Sequence, residues 1–118
     1  MSWNLDSDRP IFVQIIEHME YDIVSGVLSP GSKVPSVREL ASAASVNPNT
    51  MQRALSEMER QGLMHTERTS GRYVTDDTNM IESLRKRIAS VGVDSFIIQM
   101  KRLGLGRDEV LKLVEDNY

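Results

Sequence analysis

The chain has 118 residues, a net charge of −3 and 40% hydrophobic residues, enough for one modest core or for one small domain with an accessory segment. It contains no cysteine, which excludes disulfides, a thiol nucleophile and thiolate metal ligands. No run of about 18 apolar residues and no basic, apolar leader is present, so we expect a cytoplasmic protein without a membrane partner.

The charge is unevenly distributed along the chain. Residues 1–32 carry one basic and five acidic side chains, residues 33–76 carry six and five, and residues 77–118 carry seven of each. Five of the six cations in the middle part are Arg, whose planar guanidinium suits phosphates and guanine edges. Regional charge therefore permits a nucleic-acid partner, although ordinary solvated charge explains the composition about as well.

Apolar residues at helical spacing predict a first helix from Pro10 to Val24, ended by Gly26. Its predicted buried face consists of Phe12, Ile15, Ile16, Met19 and Ile23. The stretch "LSPGSKVP" follows and is typical of a loop.

A short second helix is predicted from the pair Ser36 and Glu39, whose spacing is that of a capping box. It ends near Ser45. Asn47, as a capping residue, and Pro48, as a first helical residue, then begin a third helix.

The third helix is predicted to end at Gly62 and to have two distinct faces. Its buried stripe consists of Met51, Ala54, Leu55 and Met58. Its opposite face consists of Asn49, Arg53, Ser56 and Arg60, flanked by Thr50 and Gln52. The side that faces water is therefore polar along its whole length.

Two short strands are predicted next, near residues 64–67 and 72–75. The connection between them ends at Gly71, which can take a positive φ in a hairpin turn. Arg68 and Arg72 bracket the tip with positive charge.

The tail is predicted to form three short helices. The first is ended by Gly92, the second by Gly104, and the third runs from Asp108 to Glu115. Helices this short are marginal in water, so their apolar stripes must pack on each other, on the first helix or on a second chain.

The order of elements predicts a mainly α fold with a small β-hairpin, a winged helix-turn-helix followed by a short helical C-terminal segment. In this fold the second helix of the motif enters the major groove of DNA. Asn49 and Gln52 carry the amides that can read adenine, and Arg53 can reach guanine or phosphate. The N-terminus of the third helix favours a nearby phosphate.

Particular motifs make the chain resemble the N-terminal domain of the GntR family of bacterial transcription regulators. Over residues 9–75 they are "RPIFVQI", the Pro30-Gly31 turn, "PSVRELA", "VNPNT", "RAL", "GL" and "GRYV". One departure lies in the wing, where relatives often carry a second glycine or a basic residue and this chain has Thr69 and Ser70.

The resemblance implies a set of DNA contacts on the second and third helices and on the wing. They are Arg38, Asn47, Asn49, Thr50, Gln52 and Arg53 on the helices and Arg68, Ser70 and Gly71 on the wing. We add Lys33 and Ser36, which lie beside them in the chain, to the predicted DNA-binding surface.

For several of these residues, a purely structural or solvent-exposed role without DNA contact stays open as the alternative. Asn47 can serve as a cap alone, and the Thr50 hydroxyl can cap the helix or contact phosphate. Arg38 can pair with a neighbouring acid, and Lys33 can be an ordinary solvated loop lysine.

The tail resembles that of the YtrA subfamily, whose members use it for dimerisation. The implied dimerisation residues are Ile81, Leu84, Ile88, Phe96, Ile97, Met100 and Leu103. We therefore expect a DNA-binding domain at 1–76, a dimerisation region at 77–118, and a homodimeric repressor on a pseudo-palindromic, double-stranded operator. The alternative is that these stripes only cover the first helix within a monomer.

Other functions have weaker support. His18 and Asp22 are spaced to share a metal on one helix, but a third ligand is missing, and His65 near Glu67 has no nucleophile at an interpretable spacing. We expect no catalytic residue, no metal and no cofactor. A protein-binding winged helix that never contacts DNA, and a regulator with a small effector pocket between tail helices, remain as alternatives.

Overall fold

A computed structural model of the protein describes residues 3–118. In that range it has five helices and one antiparallel two-stranded hairpin. The elements are α1 (Ile11–Ser25), α2 (Val37–Ala44), α3 (Pro48–Arg60), β1 (Met64–Glu67), β2 (Gly71–Val74), α4 (Thr78–Arg102) and α5 (Arg107–Asn117). They form two compact units that divide between Leu84 and Arg85, later than the predicted boundary after residue 76.

The first unit is the predicted winged helix-turn-helix, with α3 packed against α1, α2 and β1. Its largest fully buried side chains come from the two predicted helix stripes and from β2: Ile15, Met19, Ile23, Met51, Leu55 and Met58, with Val74. Because three elements cover the apolar side of α3, its polar side is left facing solvent. The core thus fixes which face of α3 is available to a partner.

Local hydrogen bonds set the turn between α2 and α3. The capping box is present, with the Glu39 amide donating to Ser36 Oγ at 3.1 Å and the Ser36 amide donating to Glu39 Oε1 at 3.4 Å. Ser45 closes α2 in the left-handed conformation (φ 56°), and the Val46 amide donates to the Ala41 carbonyl at 3.0 Å. These contacts confirm the predicted end of α2 and determine where α3 begins.

In the hairpin, Met64 of β1 pairs with Val74 of β2. The loop that precedes α2 adds further backbone hydrogen bonds on the other side of β2. The Val34 amide donates to the Arg72 carbonyl and the Val74 amide donates to the Ser32 carbonyl, both at 2.9 Å. This pairing attaches the wing to the segment that leads into α2.

An ion pair fixes the hairpin to α3. Arg72 Nε donates to Glu59 Oε1 at 2.8 Å, and the Thr66 hydroxyl donates to the same oxygen. Arg72 was predicted to add positive charge at the hairpin tip. Its charge is instead neutralised by the Glu59 carboxylate. The Thr66 hydroxyl, followed by the Arg72 guanidinium, lowers the pKa of Glu59.

The lowered pKa of Glu59 predicts a pH-dependent contribution to stability. A carboxylate whose folded pKa is depressed stabilises the fold above its ordinary pKa, and that contribution is lost as the pH falls through the folded value. We expect Glu59→Gln to lower the free energy of unfolding by about 1 kcal/mol near neutral pH, and the gap from wild type to be smaller in acid, as the pH falls through the lowered pKa of Glu59. Urea unfolding near neutral pH and in acid measures it.

Two threonine variants provide the comparison for this ion pair. Thr66→Val removes the hydroxyl donor and should reproduce part of the pH-dependent loss. Thr69→Val, at the exposed hairpin tip, should leave stability unchanged at both pH values. A Glu59→Gln deficit that persists unchanged in acid would contradict the assignment.

The prediction of three short tail helices was wrong. α4 is one helix of 25 residues that continues through Gly92, and Asp77 begins it by accepting the amides of Asn79 and Met80, both at 3.1 Å. A glycine within a helix costs about 1 kcal/mol relative to alanine, which a long helix tolerates. Gly104 does end the helical segment, because it takes a left-handed φ of 80°.

The second unit consists of residues 85–102 of α4 together with α5, joined by a short turn. No residue from 85 to 118 is buried. By contrast, Ile81 and Leu84, each 5% exposed, lie in the core of the first unit. Their prediction as dimerisation residues is therefore corrected, because a second chain cannot reach side chains that this unit already covers.

Candidate nucleic-acid interface

The N-terminus of α3 is exposed and is capped by a side chain. Asn47 Oδ1 accepts the Asn49 backbone amide at 2.7 Å, and Pro48 fills the first helical position. Capping uses only the Asn47 carbonyl oxygen, so its side-chain NH2 group stays available to donate to a phosphate. Asn47 therefore caps α3 as predicted, and capping does not exclude a DNA contact by its NH2 group.

The residues predicted to contact DNA are accessible. Thr50 is half-buried, and the others are exposed: Lys33, Ser36, Arg38, Asn47, Asn49, Gln52, Arg53, Arg68, Ser70 and Gly71. All of them belong to the first unit. The fold thereby leaves the whole predicted set free to meet a partner.

Gln52 is held in place by a neighbour one turn later. Its Nε2 donates to Ser56 Oγ at 3.1 Å. One amide hydrogen is used in this way, whereas the second hydrogen and Oε1 remain free, which is the pair that bidentate recognition of adenine requires. Ser56 therefore orients Gln52 and leaves free the donor and acceptor that would contact adenine.

A cleft of about 610 Å³ brings the start of α2 and the wing together. Among its lining residues are Lys33, Ser36, Ser70 and Gly71 of the predicted surface. Gly71 has a φ of 120°, and a Cβ there would lie 3.0 Å from Lys33 Cε. The positive φ favours glycine at 71, whereas the Lys33 side chain is flexible and could move away from a Cβ.

Ser36 and Arg38 remain able to donate at the start of α2. The Ser36 hydroxyl oxygen accepts the Glu39 amide, which leaves its own hydrogen for a phosphate. In residues 3–118 no acidic side chain pairs with Arg38, so the salt-bridge alternative has no support in this chain. Arg68 is exposed at the hairpin turn.

Arg53 is exposed, as predicted, and in addition contacts α1. Its guanidinium carbon lies 4.1 Å above the centre of the Phe12 ring of α1. Phe12 was predicted to be a core residue, but it is half-buried and one ring face is covered by the arginine. Helical spacing gave no signal for this contact, because it depends on how α1 packs against α3.

The N-terminal segment also borders this surface, which sequence reasoning missed. Gln14, 6% exposed, receives the Asp6 amide at Oε1 (2.9 Å) and donates Nε2 to the carbonyls of Asp6 and Arg9, both at 2.8 Å. Leu5, Asp6 and Ser7 then line a cavity of about 510 Å³ together with Asn47 and Thr50. A glutamine among the apolar residues of α1 was the available signal.

His18 and Asp22, which are spaced to share a metal, contact each other and Trp3. His18 Nε2 lies 3.1 Å from Asp22 Oδ2, and the His18 ring stacks on Trp3 with centroids 3.7 Å apart. Within the part of the chain described, no group of three metal-ligating side chains occurs. No helix in that part is long and apolar enough to cross a bilayer.

Residues 12–74 match the family model described as bacterial regulatory proteins, gntR family. The chain belongs to the GntR family. The match covers the first unit from α1 through β2 and confirms the family resemblance noted in the motifs. The DNA-binding domain of this GntR-family member is therefore the winged helix-turn-helix described above.

Curated relatives extend the comparison along the chain. It is 39% identical over 112 residues to the uncharacterized HTH-type transcriptional regulator YhcF of Bacillus subtilis (strain 168), covering 95% of this chain and 93% of the relative. It is 42% identical over 78 residues to the HTH-type transcriptional repressor YtrA of the same organism, covering 64% and 60%. These relatives are transcriptional regulators, and the predicted similarity to YtrA is confirmed.

Solved structures agree with the fold. A GntR family transcriptional regulator from Listeria monocytogenes superposes with a TM-score of 0.88 at 38% identity, covering 95% of this chain and 98% of that one. The DNA-binding domain of AraR, crystallised in complex with operator ORX1, gives a TM-score of 0.54 at 25% identity over 64% of this chain and 92% of that one.

Proposed function

We propose that this GntR-family protein represses transcription by binding a double-stranded operator with α3, the start of α2 and the hairpin. The observation that carries the proposal is the polar side of α3. This side faces solvent rather than the core, begins at the Asn47 cap and displays amide and guanidinium groups. The AraR domain, which is similar in fold, is known in complex with an operator. The relative named a repressor, YtrA, supports the sign of regulation.

We assign base reading to Asn49 and Gln52. Both amides are exposed, and Ser56 already orients Gln52. Phosphate contacts are assigned to the remaining members of the surface: Lys33, Ser36, Arg38, Asn47, Thr50, Arg68, Ser70 and Gly71. Arg53 contributes a cation at the edge of α3 that faces α1.

The homodimer is proposed to form through the second unit. Its helices leave large apolar side chains partly exposed: Val91, Val93, Phe96, Ile97, Ile98, Leu103, Leu111, Leu113 and Val114. An apolar groove of about 510 Å³ runs between α4 and α5. Thirty-odd residues without a buried side chain are marginal alone, and a second copy about a two-fold axis would cover them. Half-buried Ile88 and Met100 complete this surface.

Selection from a random duplex pool tests the function directly. We expect enrichment of a pseudo-palindrome with half-site centres about one helical turn apart. The logarithm of affinity should fall with the logarithm of salt by about 0.9 per phosphate neutralised. Fluorescence anisotropy on the enriched duplex measures the slope. Absence of binding to any duplex at low salt would instead favour a protein-binding module.

A further inference from the structure

We propose that Phe12 is a positioning residue for DNA recognition, a platform that holds the Arg53 guanidinium ready for the duplex. The inference rests on the proposed function and deepens it. The stacking distance of 4.1 Å places the cation within the range in which an aromatic face attracts it. The contact joins α1, which reads no DNA in our proposal, to α3, which does.

The geometry of stacking leaves Arg53 competent to bind. A guanidinium has five N–H donors, and the attraction between its charge and an aromatic face requires no conventional hydrogen bond from any of them. Among residues 3–118 no side chain accepts a hydrogen bond from Arg53. Phe12 thus restrains the arginine without occupying the donors that a phosphate or a guanine edge requires.

A neighbouring ion pair takes up the hydrogen bonds of the acid closest to Arg53 on α3. Glu57 lies one turn after Arg53 and would be its natural partner on the helix surface. Arg60 occupies that carboxylate with both Nε, at 2.8 Å, and a terminal nitrogen. Arg60, first through its hydrogen bond, lowers the pKa of Glu57. The charge of Arg53 also lowers the pKa of Glu57, to a smaller extent, but the hydrogen bonds that Glu57 accepts come from Arg60 and Gln61, and the contact of Arg53 is with the Phe12 ring.

Restraint before binding is what gives the platform a function. An exposed arginine samples many rotamers, and holding it in one of them lowers the entropy cost of forming the complex. Leucine at position 12 would keep an apolar side chain against the core but would lack the negative aromatic face. Tyrosine would keep that face. The two substitutions therefore separate packing from positioning.

The test is a double-mutant cycle on the enriched duplex, measured by anisotropy. We expect Phe12→Leu to weaken binding about three- to tenfold and Phe12→Tyr to bind like wild type. Arg53→Ala should weaken binding about ten- to hundredfold, and adding Phe12→Leu to it should cost nothing more. Arg53→Lys keeps the charge, but an ammonium makes a weaker contact with the ring, so this variant should be less sensitive to Phe12→Leu than wild type is.

The possible failures are distinguishable. If wild type binds and the losses from Phe12→Leu and Arg53→Ala multiply, or if Phe12→Leu binds like wild type, the platform is overturned while the proposed function stands. If wild type binds no duplex, the proposed function fails and the platform with it. Thermal unfolding of Phe12→Leu, alone and combined with Arg53→Lys, guards against misfolding.

Discussion

Ile97→Glu is expected to convert the protein into a monomer that no longer holds a palindromic operator. Ile97 is 39% exposed and lines the apolar groove between α4 and α5. A carboxylate there would have to be desolvated in the proposed interface, and although Lys101 and Arg107 also line the groove, the charge would replace an apolar contact between the two chains. The dimer should therefore dissociate at concentrations at which wild type stays paired.

The loss of DNA binding follows from linkage between the two half-sites. When two reading units are joined, the second binds at a high effective concentration, and separating them lowers apparent affinity about 100- to 10,000-fold. Light scattering reports the mass, and anisotropy on the enriched palindrome reports affinity. A single half-site duplex should bind wild type and variant more nearly alike.

A matched control exists in the first unit. Val27 is 59% exposed, so Val27→Glu introduces the same charge at an apolar surface position outside the proposed interface. It should leave mass and affinity unchanged. Circular dichroism should show that Ile97→Glu keeps the helices of the first unit. If Ile97→Glu stays dimeric with full affinity, the second unit is not the interface.

Replacing both Asn49 and Gln52 by alanine should abolish sequence preference while leaving much of the general affinity. Each good bidentate amide–adenine contact discriminates by about 1–3 kcal/mol. Two such contacts therefore predict a loss of about 2–6 kcal/mol on the selected duplex. Helix stability should change little, because alanine is the best helix former and both side chains are exposed.

The comparison with a phosphate contact makes this prediction specific. Lys33→Ala should weaken selected and random duplexes alike and should reduce the salt slope by about one phosphate, roughly 0.9. The Asn49 and Gln52 variant should leave the slope unchanged. Equal losses on both duplexes for both variants would contradict the division between reading and positioning.

The helix limits of the first unit were predictable because their signals are local. The Ser36–Glu39 box, the Asn47–Pro48 start and the apolar stripes act within a few residues, and the structure confirms each of them. Gly92 led to the wrong prediction of a helix end, because a glycine permits a helix to end in the left-handed conformation but does not require it. Here its backbone stays helical, and α4 passes through it.

The residues of the DNA-binding surface could be predicted from motifs, but most of the side-chain contacts that hold them in place could not. Gln52 and Ser56 are one turn apart on a single helix, so that hydrogen bond was within reach of sequence reasoning. Arg72 with Glu59, and Arg53 with Phe12, join residues far apart in the chain. Spacing along one element carries no information on such pairs.

The order of elements, the capped start of α3 and the family were determined by the sequence itself, because capping, periodicity and turn chemistry act over a few neighbouring residues. Only the tertiary structure decided that Phe12 meets a cation, that Arg72 is neutralised by Glu59, and that Ile81 and Leu84 belong to the core. Those outcomes depend on which elements pack together, and packing is a property of the whole fold.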